Sequence, residues 1–163
     1  MFSFVKKKEN QEPERLTAFL DGKVIPIAEV PDQVFSAGIM GDGVAIEPEN
    51  HVVTAPAAAE VTAVMEDSRH ALGLKFANGV ECLIHVGLDT VKMNGEGFTG
   101  HVKAGDKVKK GDLLLEVDLD KVKAAGYDTI TPMLVCNTMD YASVEGVTGK
   151  EVEAGDDAVI IEK

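Results

Sequence analysis

Short apolar runs separated by turn residues fill most of the chain. Runs such as GKVIPI, EVTAVM and ALGLKFA are rich in valine, isoleucine and leucine, and Gly-Asp, Asn-Gly and proline fall between them. Branched side chains favour strands, whereas glycine, asparagine and proline favour turns. Many closely spaced short strands are typical of sandwiches and barrels. The pattern therefore predicts an all-β fold, a compact antiparallel β-sandwich or barrel.

Two segments depart from the strand pattern. VPDQVFSAG at 30–38 and LDKVKAAG at 119–126 each begin near a proline or aspartate and end at a glycine, which are helix start and stop signals. We expect a helical turn or two in each. Ala-Gly-Asp recurs at 104–106 and 154–156. It predicts turns in which the glycine takes a positive φ and the aspartate bonds the backbone.

The apolar pattern predicts a single domain over residues 19–163, preceded by a flexible N-terminal tail over residues 1–18. FSFV followed by three lysines in that tail leaves open a contact with a membrane surface. The opening sequence lacks the features of a secretory signal, and no apolar run reaches the roughly 18 residues of a membrane-spanning helix. A cytoplasmic location is therefore expected.

The composition narrows the choice of partners. The 163 residues include 16 Lys+Arg and 28 Asp+Glu, a formal net charge of −12. An acidic surface repels phosphate backbones, so nucleic acid is not an expected partner. Cys82 and Cys136 lie in separate apolar runs that are far apart in the sequence. They are predicted to be reduced core thiols.

Two of the four histidines, His70 and His85, flank one predicted hairpin. Asn78-Gly79 between its strands is a strong signal for a two-residue type I′ turn. Such a turn would place His85 opposite Leu72, with His70 on the same face as His85 and within reach of it. A three-residue loop would instead place the two imidazoles on opposite faces of the sheet.

A facing pair of histidines narrows the chemistry. A single histidine in an apolar strand is usually a satisfied core residue, but two adjacent imidazoles do not both hold a proton near neutral pH. One ring nitrogen then keeps a lone pair that can attack phosphorus or bind a metal. Zinc hydrolysis also needs a third ligand and a carboxylate, and the sequence contains no HExxH or comparable cluster.

Nucleophilic transfer makes smaller demands on the sequence. It needs one histidine as acceptor, the other as a hydrogen-bond donor to the transferred group, and a hydroxyl that orients the second ring. Ser68, two residues before His70, is placed to supply that hydroxyl. Taken alone, Ser68 reads as an ordinary turn residue.

Several motifs in one order resemble the glucose-class IIA proteins of the bacterial phosphoenolpyruvate-dependent sugar phosphotransferase system. They are VPDQVF at 30–35, GDGVAI at 41–46, TAP at 54–56, LIHVGLDTV at 83–91, NGEGF at 94–98 and TP at 131–132, with the two histidines fifteen residues apart. The resemblance runs from about Phe19 to Lys163. It implies an antiparallel β-sandwich and a phosphoprotein, and no cofactor is expected.

The resemblance also implies a role for each site residue. His85 would accept a phosphoryl group through Nε2 from the phosphocarrier protein HPr and pass it to a cysteine on the IIB domain of a sugar permease. His70 would stabilise the phosphoryl group, and Ser68 would fix the tautomer of His70. An apolar patch with acidic edges would dock these partners; its members are Asp32, Phe35, Ile39, Met40, Asp89 and Val91.

Without the resemblance, these docking residues have plainer interpretations. The apolar residues before Gly41 fit a core at helical spacing, and Asp32 fits a helix cap. A biotinyl or lipoyl carrier module is the main alternative function, because Lys92-Met93 followed by AGDKVKKGD resembles such modules. They expose the modified lysine at the tip of a tight hairpin.

A regulatory role is a further alternative. The unphosphorylated form would then bind and inhibit other proteins through the same face. In some members of the family that this chain resembles, the histidine pair and a carboxylate of the partner protein bind one zinc ion together. His70 and His85 are therefore potential ligands of such a shared zinc ion. Two imidazoles form an incomplete zinc site, so no tight zinc is expected on the isolated chain.

Overall fold

A computed structural model describes residues 14–162 of the chain. Within these residues there are fourteen β-strands, two short α-helices, and 3₁₀ helices at Ile27–Glu29, Thr90–Met93 and Thr138–Asp140. The strands are β1 (Glu14–Thr17), β2 (Gly22–Pro26), β3 (Asp42–Pro48), β4 (Val52–Thr54), β5 (Ala59–Val64), β6 (Ala71–Phe76), β7 (Glu81–His85), β8 (Phe98–Gly100), β9 (Lys107–Val108), β10 (Leu113–Val117), β11 (Thr131–Val135), β12 (Ser143–Gly146), β13 (Lys150–Val152) and β14 (Asp157–Glu162). The helices are α1 (Gln33–Ser36) and α2 (Leu119–Ala124).

The strands form three antiparallel sheets within the described residues. The largest has eight strands in the order β13-β2-β3-β11-β7-β6-β5-β9. Two three-stranded sheets have the orders β1-β14-β12 and β4-β10-β8. The predicted all-β, antiparallel sandwich is confirmed. None of the helices in this part of the chain has the length and apolar character needed to cross a bilayer.

The main hydrophobic core joins all three sheets. It includes Leu74 of β6, Leu114 of β10 and Ile161 of β14. A smaller cluster, here called the second core, consists of Ile25, Ile27, Val30, Phe35, Ala45, Leu88 and Leu134. Because neighbouring residues of a strand point to opposite faces, Leu134 faces the second core while Met133 faces the main core. The segment containing α1 thus packs on the outer face of the large sheet.

The two predicted helical segments are confirmed as α1 and α2. Asp32 caps α1 by accepting a hydrogen bond from the N–H of Val34 at 2.9 Å. Asp118 caps α2 by accepting one from the N–H of Lys121 at 3.2 Å. An aspartate at this position bonds a backbone N–H that has no partner within the helix. The capping interpretation of Asp32 is therefore correct.

Three turns share one geometry. Asp106, Asp112 and Asp156 each accept a hydrogen bond from the backbone N–H three residues earlier, at 3.0, 2.8 and 2.8 Å. The glycine before each aspartate has a positive φ, which a residue without a Cβ adopts readily. The two predicted Ala-Gly-Asp turns are confirmed, and the KKGD turn at 109–112 has the same form.

The predicted tail boundary is wrong for residues 14–18. Glu14–Thr17 form β1, which pairs with β14, and Leu16 is buried in the main core. Arg15 adds an ion pair to Asp157 at 2.9 Å, so a segment that carries charges still has an apolar inner face. Residues 1–13, with the FSFV cluster, lie outside the described residues.

The predictions for the cysteines have different outcomes. Cys82 is buried in the main core, as expected, whereas Cys136 is exposed. The prediction for Cys136 is wrong because β11 ends at Val135 and Cys136 follows the last strand residue.

Candidate functional site

The β6–β7 hairpin positions His85 at the end of β7. The strand register pairs His85 with Ala71, one residue away from the predicted register. Phe76 donates its N–H to the carbonyl of Val80 at 2.9 Å, which closes a three-residue loop, 77–79. Gly79 in this loop has a φ of 95°, as expected for three-residue hairpin loops that end in a left-handed glycine. The predicted two-residue loop is therefore wrong.

His70 lies just outside the ladder, in the turn that precedes β6. Arg69 has a left-handed φ of 55°, and its N–H donates to the carbonyl of Met65 at 2.7 Å. This turn interrupts the regular alternation of side chains. In a regular ladder, the three-residue hairpin loop would place the rings of His70 and His85 on opposite faces of the sheet. Because of the turn, the two rings instead meet edge to face, with centroids 4.6 Å apart and an interplanar angle of 86°. The expected contact between the imidazoles is confirmed, through a turn rather than through strand register.

The backbone determines which nitrogen of His85 is free. Nδ1 of His85 lies 2.8 Å from the carbonyl oxygen of Gly87. A carbonyl oxygen only accepts hydrogen bonds, so the neutral ring carries its hydrogen on Nδ1. The lone pair is therefore on Nε2.

The side chain of Ser68 bonds the corresponding nitrogen of His70. Its Oγ lies 2.7 Å from Nδ1 of His70, and both side chains are buried. When the hydroxyl donates to Nδ1, the hydrogen of the neutral His70 ring lies on Nε2. The pair then offers one nitrogen lone pair, on His85, beside one N–H donor, on His70.

Both imidazoles are biased toward their neutral forms. Burial, together with the neighbouring His85, lowers the pKa of His70 from 6.5 to about 4. Burial also lowers the pKa of His85, while the Gly87 carbonyl and the carboxylates of Asp32 and Asp89 oppose that shift. Near neutral pH the site therefore holds two uncharged rings with negative charge at its edges.

The chain matches the family model described as phosphoenolpyruvate-dependent sugar phosphotransferase system, EIIA 1, over residues 14–141. The chain belongs to this EIIA family. It is a phosphoryl-transfer component of a sugar phosphotransferase system. The start of the matched region coincides with β1.

Named relatives of two kinds are similar to this EIIA chain. It is 42% identical over 164 aligned positions to the PTS system glucose-specific EIIA component of Halalkalibacterium halodurans, covering 98% of this chain and 94% of that protein. It is 51% identical over 123 residues to the PTS system beta-glucoside-specific EIIBCA component of Bacillus subtilis, covering 76% of this chain but only 20% of that protein. The chain therefore spans about a fifth of the longer relative.

A solved structure agrees with the fold. Glucose permease IIA from Mycoplasma capricolum superimposes with a TM-score of 0.85 at 34% sequence identity, covering 91% of this chain and 96% of that chain. The fold of this chain is thus similar to that of a IIA protein.

The expected docking residues of this EIIA chain divide into buried and exposed groups. Phe35 is only 4% exposed and belongs to the second core, so its placement on a contact surface is wrong. Its ring packs on His85, with centroids 5.0 Å apart. Exposed apolar side chains occur at Ile39, Met40 and Val91, and also at Val34, which the sequence interpretation missed. Helical spacing could have indicated Val34, because it lies beside Phe35 in α1 and faces away from the second core.

The acidic residues expected at the edges of the site are accessible. Asp32 is partly exposed and Asp89 is exposed. Both contribute to the electrostatics of His85, as the opposing shifts in its pKa indicate. Asp32 thus caps α1 and also bears on His85.

The carrier-module alternative is wrong for this EIIA chain. Lys92 lies in the 3₁₀ helix Thr90–Met93, which is followed by the left-handed residue Asn94. It is not at the tip of a hairpin between two paired strands, the position at which such modules present their lysine.

The histidine pair supplies only part of a metal site. Residues 14–162 contain no group of three or more His, Cys, Asp and Glu side chains arranged to hold a metal ion. His70 and His85 supply two nitrogens at most, and a structural zinc site needs four ligands. The absence of tight zinc binding by the isolated chain stays a prediction.

Proposed function

We propose that Nε2 of His85 accepts a phosphoryl group from phosphorylated HPr and donates it to a cysteine of a sugar-permease IIB domain. The observation that carries this proposal is the hydrogen bond from Nδ1 of His85 to the carbonyl of Gly87. It leaves the lone pair on Nε2 without any prior loss of a proton. As the bond from Nε2 to phosphorus forms, the bond from phosphorus to the donor nitrogen on HPr breaks.

His70 and Ser68 would serve this transfer by positioning and charge. Phosphoryl transfer proceeds through an in-line arrangement with charge spread over three oxygens, and catalysis is mostly positioning and electrostatic stabilisation. The Nε2–H of His70 would donate to one of these oxygens, with Ser68 holding the tautomer through Nδ1. The negative phosphoryl group would also raise the pKa of His70, so a bound phosphate favours the protonated ring.

The surface around His85 suits brief contacts with two partners in turn. Ile39, Met40 and Val91 are exposed apolar side chains, and the carboxylates of Asp32 and Asp89 act on His85. Basic surfaces on HPr and on the IIB domain would be steered toward these carboxylates, which raises the association rate. Regulatory binding of other proteins to the same surface in the unphosphorylated state stays a prediction.

The nearly full-length match to a glucose-specific EIIA component favours a glucose permease as the acceptor. The β-glucoside relative is more identical over a shorter segment, so it supplies the competing acceptor. Phosphoenolpyruvate, the donor in the family's description, is a cytoplasmic metabolite, and we place the transfer in the cytoplasm.

The experiment is reconstitution with phosphoenolpyruvate, the general phosphotransferase enzyme, HPr and this chain. Purified glucose-specific and β-glucoside-specific IIB domains are added separately, and ³²P on each is followed over time. We expect labelling of the glucose-specific domain that depends on this chain and is lost with His85→Ala. Labelling that proceeds equally well without this chain, or that survives His85→Ala, would contradict the proposal.

A further inference from the structure

The loop after β7 aims the carbonyl that determines the tautomer of His85. In this loop Gly87 has a φ of 75° and Asp89 a φ of 60°, so the chain turns sharply directly after the histidine. Leu88 donates its N–H to the carbonyl of Asp128 at 3.0 Å. Val86 donates its N–H to the carbonyl of His70 at 2.6 Å. The loop is therefore attached on one side to the residue that carries the partner imidazole.

Thr90 closes this loop from within. It is fully buried, and its hydroxyl donates to the carbonyl of Val86, four residues earlier. Its methyl group lies against Gly87, since a Cβ placed on that glycine would be 2.5 Å from Cγ2 of Thr90. The two groups of one side chain thus contact the two residues that follow His85.

We infer that Thr90 is a positioning residue for the phosphoryl-transfer site, and that its hydroxyl keeps the Gly87 carbonyl directed at Nδ1 of His85. The inference rests on the proposed function and adds a residue to it. Holding Val86 leaves the next carbonyl little freedom to rotate away from the ring. Without the hydroxyl, the buried Val86 carbonyl loses this partner, and relaxation of the loop lengthens the contact with Nδ1. Residues that hold the hydrogen-bond partner of a reacting side chain in place commonly have large effects on the reactivity of that side chain.

Two substitutions separate the two groups of Thr90. Thr90→Val keeps the methyl group and removes the hydroxyl, whereas Thr90→Ser keeps the hydroxyl and removes the methyl group. The ¹⁵N NMR spectrum of the imidazoles near neutral pH reports which nitrogen of His85 carries the hydrogen, without any phosphoryl donor. Rapid-quench labelling with phosphorylated HPr then gives the rate at which the chain accepts the phosphoryl group.

In the wild-type chain and in Thr90→Ser we expect the hydrogen of His85 on Nδ1. In Thr90→Val we expect a mixture of tautomers and about a tenfold slower acceptance. The matched control is Thr17→Val, because Thr17 is also buried and its hydroxyl donates to the carbonyl of Pro56 at 2.8 Å, but it lies on β1 in a different sheet. This control should lose stability with no change in tautomer or rate.

The inference is overturned if Thr90→Val keeps the wild-type tautomer and rate, or if Thr17→Val shifts the tautomer as much. If Thr90→Val does not fold, Thr90→Ser decides: a wild-type tautomer and rate support the inference, and a tenfold loss overturns it. A wild-type chain that accepts no phosphoryl group would contradict the proposed function, while the NMR comparison would still decide the role of Thr90.

Discussion

The imidazoles of His70 and His85 meet at a right angle, with ring centroids 4.6 Å apart, and each has its Nδ1 bonded to a different kind of oxygen. A carbonyl holds His85, so its Nδ1 must be the donor. A hydroxyl that can donate holds His70. In the proposed transfer, these two bonds would give residues of the same type opposite tasks, a nucleophilic nitrogen on His85 and an N–H donor on His70.

Substitution of each histidine should have a different effect. His85→Ala should abolish acceptance of the phosphoryl group, since the nucleophile is removed. His70→Gln keeps a side chain that can donate a hydrogen bond, so it should still accept the group but pass it on to the IIB domain at least about 100-fold more slowly. Rapid-quench labelling with phosphorylated HPr separates the two steps. Equal loss of acceptance in both variants would reject this division of roles.

The buried His70 should make stability depend on pH. Its pKa is lowered from 6.5 to about 4 in the folded chain, so the unfolded chain binds a proton at higher pH than the folded chain does. Stability should therefore fall as the pH decreases from about 6.5 toward 4, by about 2–3 kcal/mol from this residue alone. Urea unfolding of wild type and His70→Gln at about pH 7 and pH 4.5 measures it. Parallel decreases in both proteins would show that His70 is not the cause.

Gly87→Ala should impair both folding and transfer. A Cβ there would lie 2.5 Å from Cγ2 of Thr90 and 2.9 Å from the carbonyl oxygen of Asp128, at a φ of 75°. We expect a loss of about 2–4 kcal/mol in the free energy of unfolding. Gly126→Ala is the control, because φ is 88° but no atom lies within 4 Å, so it should lose only about 1 kcal/mol. Similar losses in the two variants would mean that the close approach at Gly87 is unimportant.

Phe35 should contribute mainly to the stability of the fold, and Ile39 mainly to the docking of phosphorylated HPr. Phe35→Ala removes a ring from the second core and should lower the free energy of unfolding by about 3–5 kcal/mol. Ile39 is 84% exposed, and Ile39→Ala should leave stability within about 0.5 kcal/mol while weakening the encounter with phosphorylated HPr. Met139→Ala, at another exposed apolar residue outside the expected docking set, should change neither. An Ile39→Ala chain that accepts phosphate at the wild-type rate at all HPr concentrations would remove Ile39 from the docking surface.

The sequence was most informative where local chemistry determines structure. Both helices begin at an aspartate and end at a glycine-bearing turn, and the Ala-Gly-Asp turns follow from side-chain bonds within four residues. These interactions need no tertiary context, so they can be read directly from the order of residues. The strands of the large sheet were predictable from their apolar runs, since each contributes to the main core and β2, β3 and β11 also contribute to the second core.

The hairpin register and the surface of the site depended on more distant interactions. The choice between a two-residue and a three-residue loop at 77–79 is decided by how β6 and β7 fit the sheet, which Asn-Gly does not encode. The contact between the histidines then required the left-handed turn at Arg69. Arginine rarely adopts this conformation, so the sequence does not indicate it. The sequence around Phe35 is compatible with a buried or an exposed side chain. Only the packing of α1 on the large sheet places Phe35 in the second core.

The proposed transfer is tested most directly by locating the phosphoryl group on the chain. After incubation with phosphoenolpyruvate, the general phosphotransferase enzyme and HPr, peptide mapping under alkaline conditions identifies the modified residue, and ¹⁵N–³¹P NMR identifies the bonded nitrogen. We expect one acid-labile phosphoryl group, on Nε2 of His85. A group on Nδ1 of His85, on another histidine, or on no residue of this chain would contradict it.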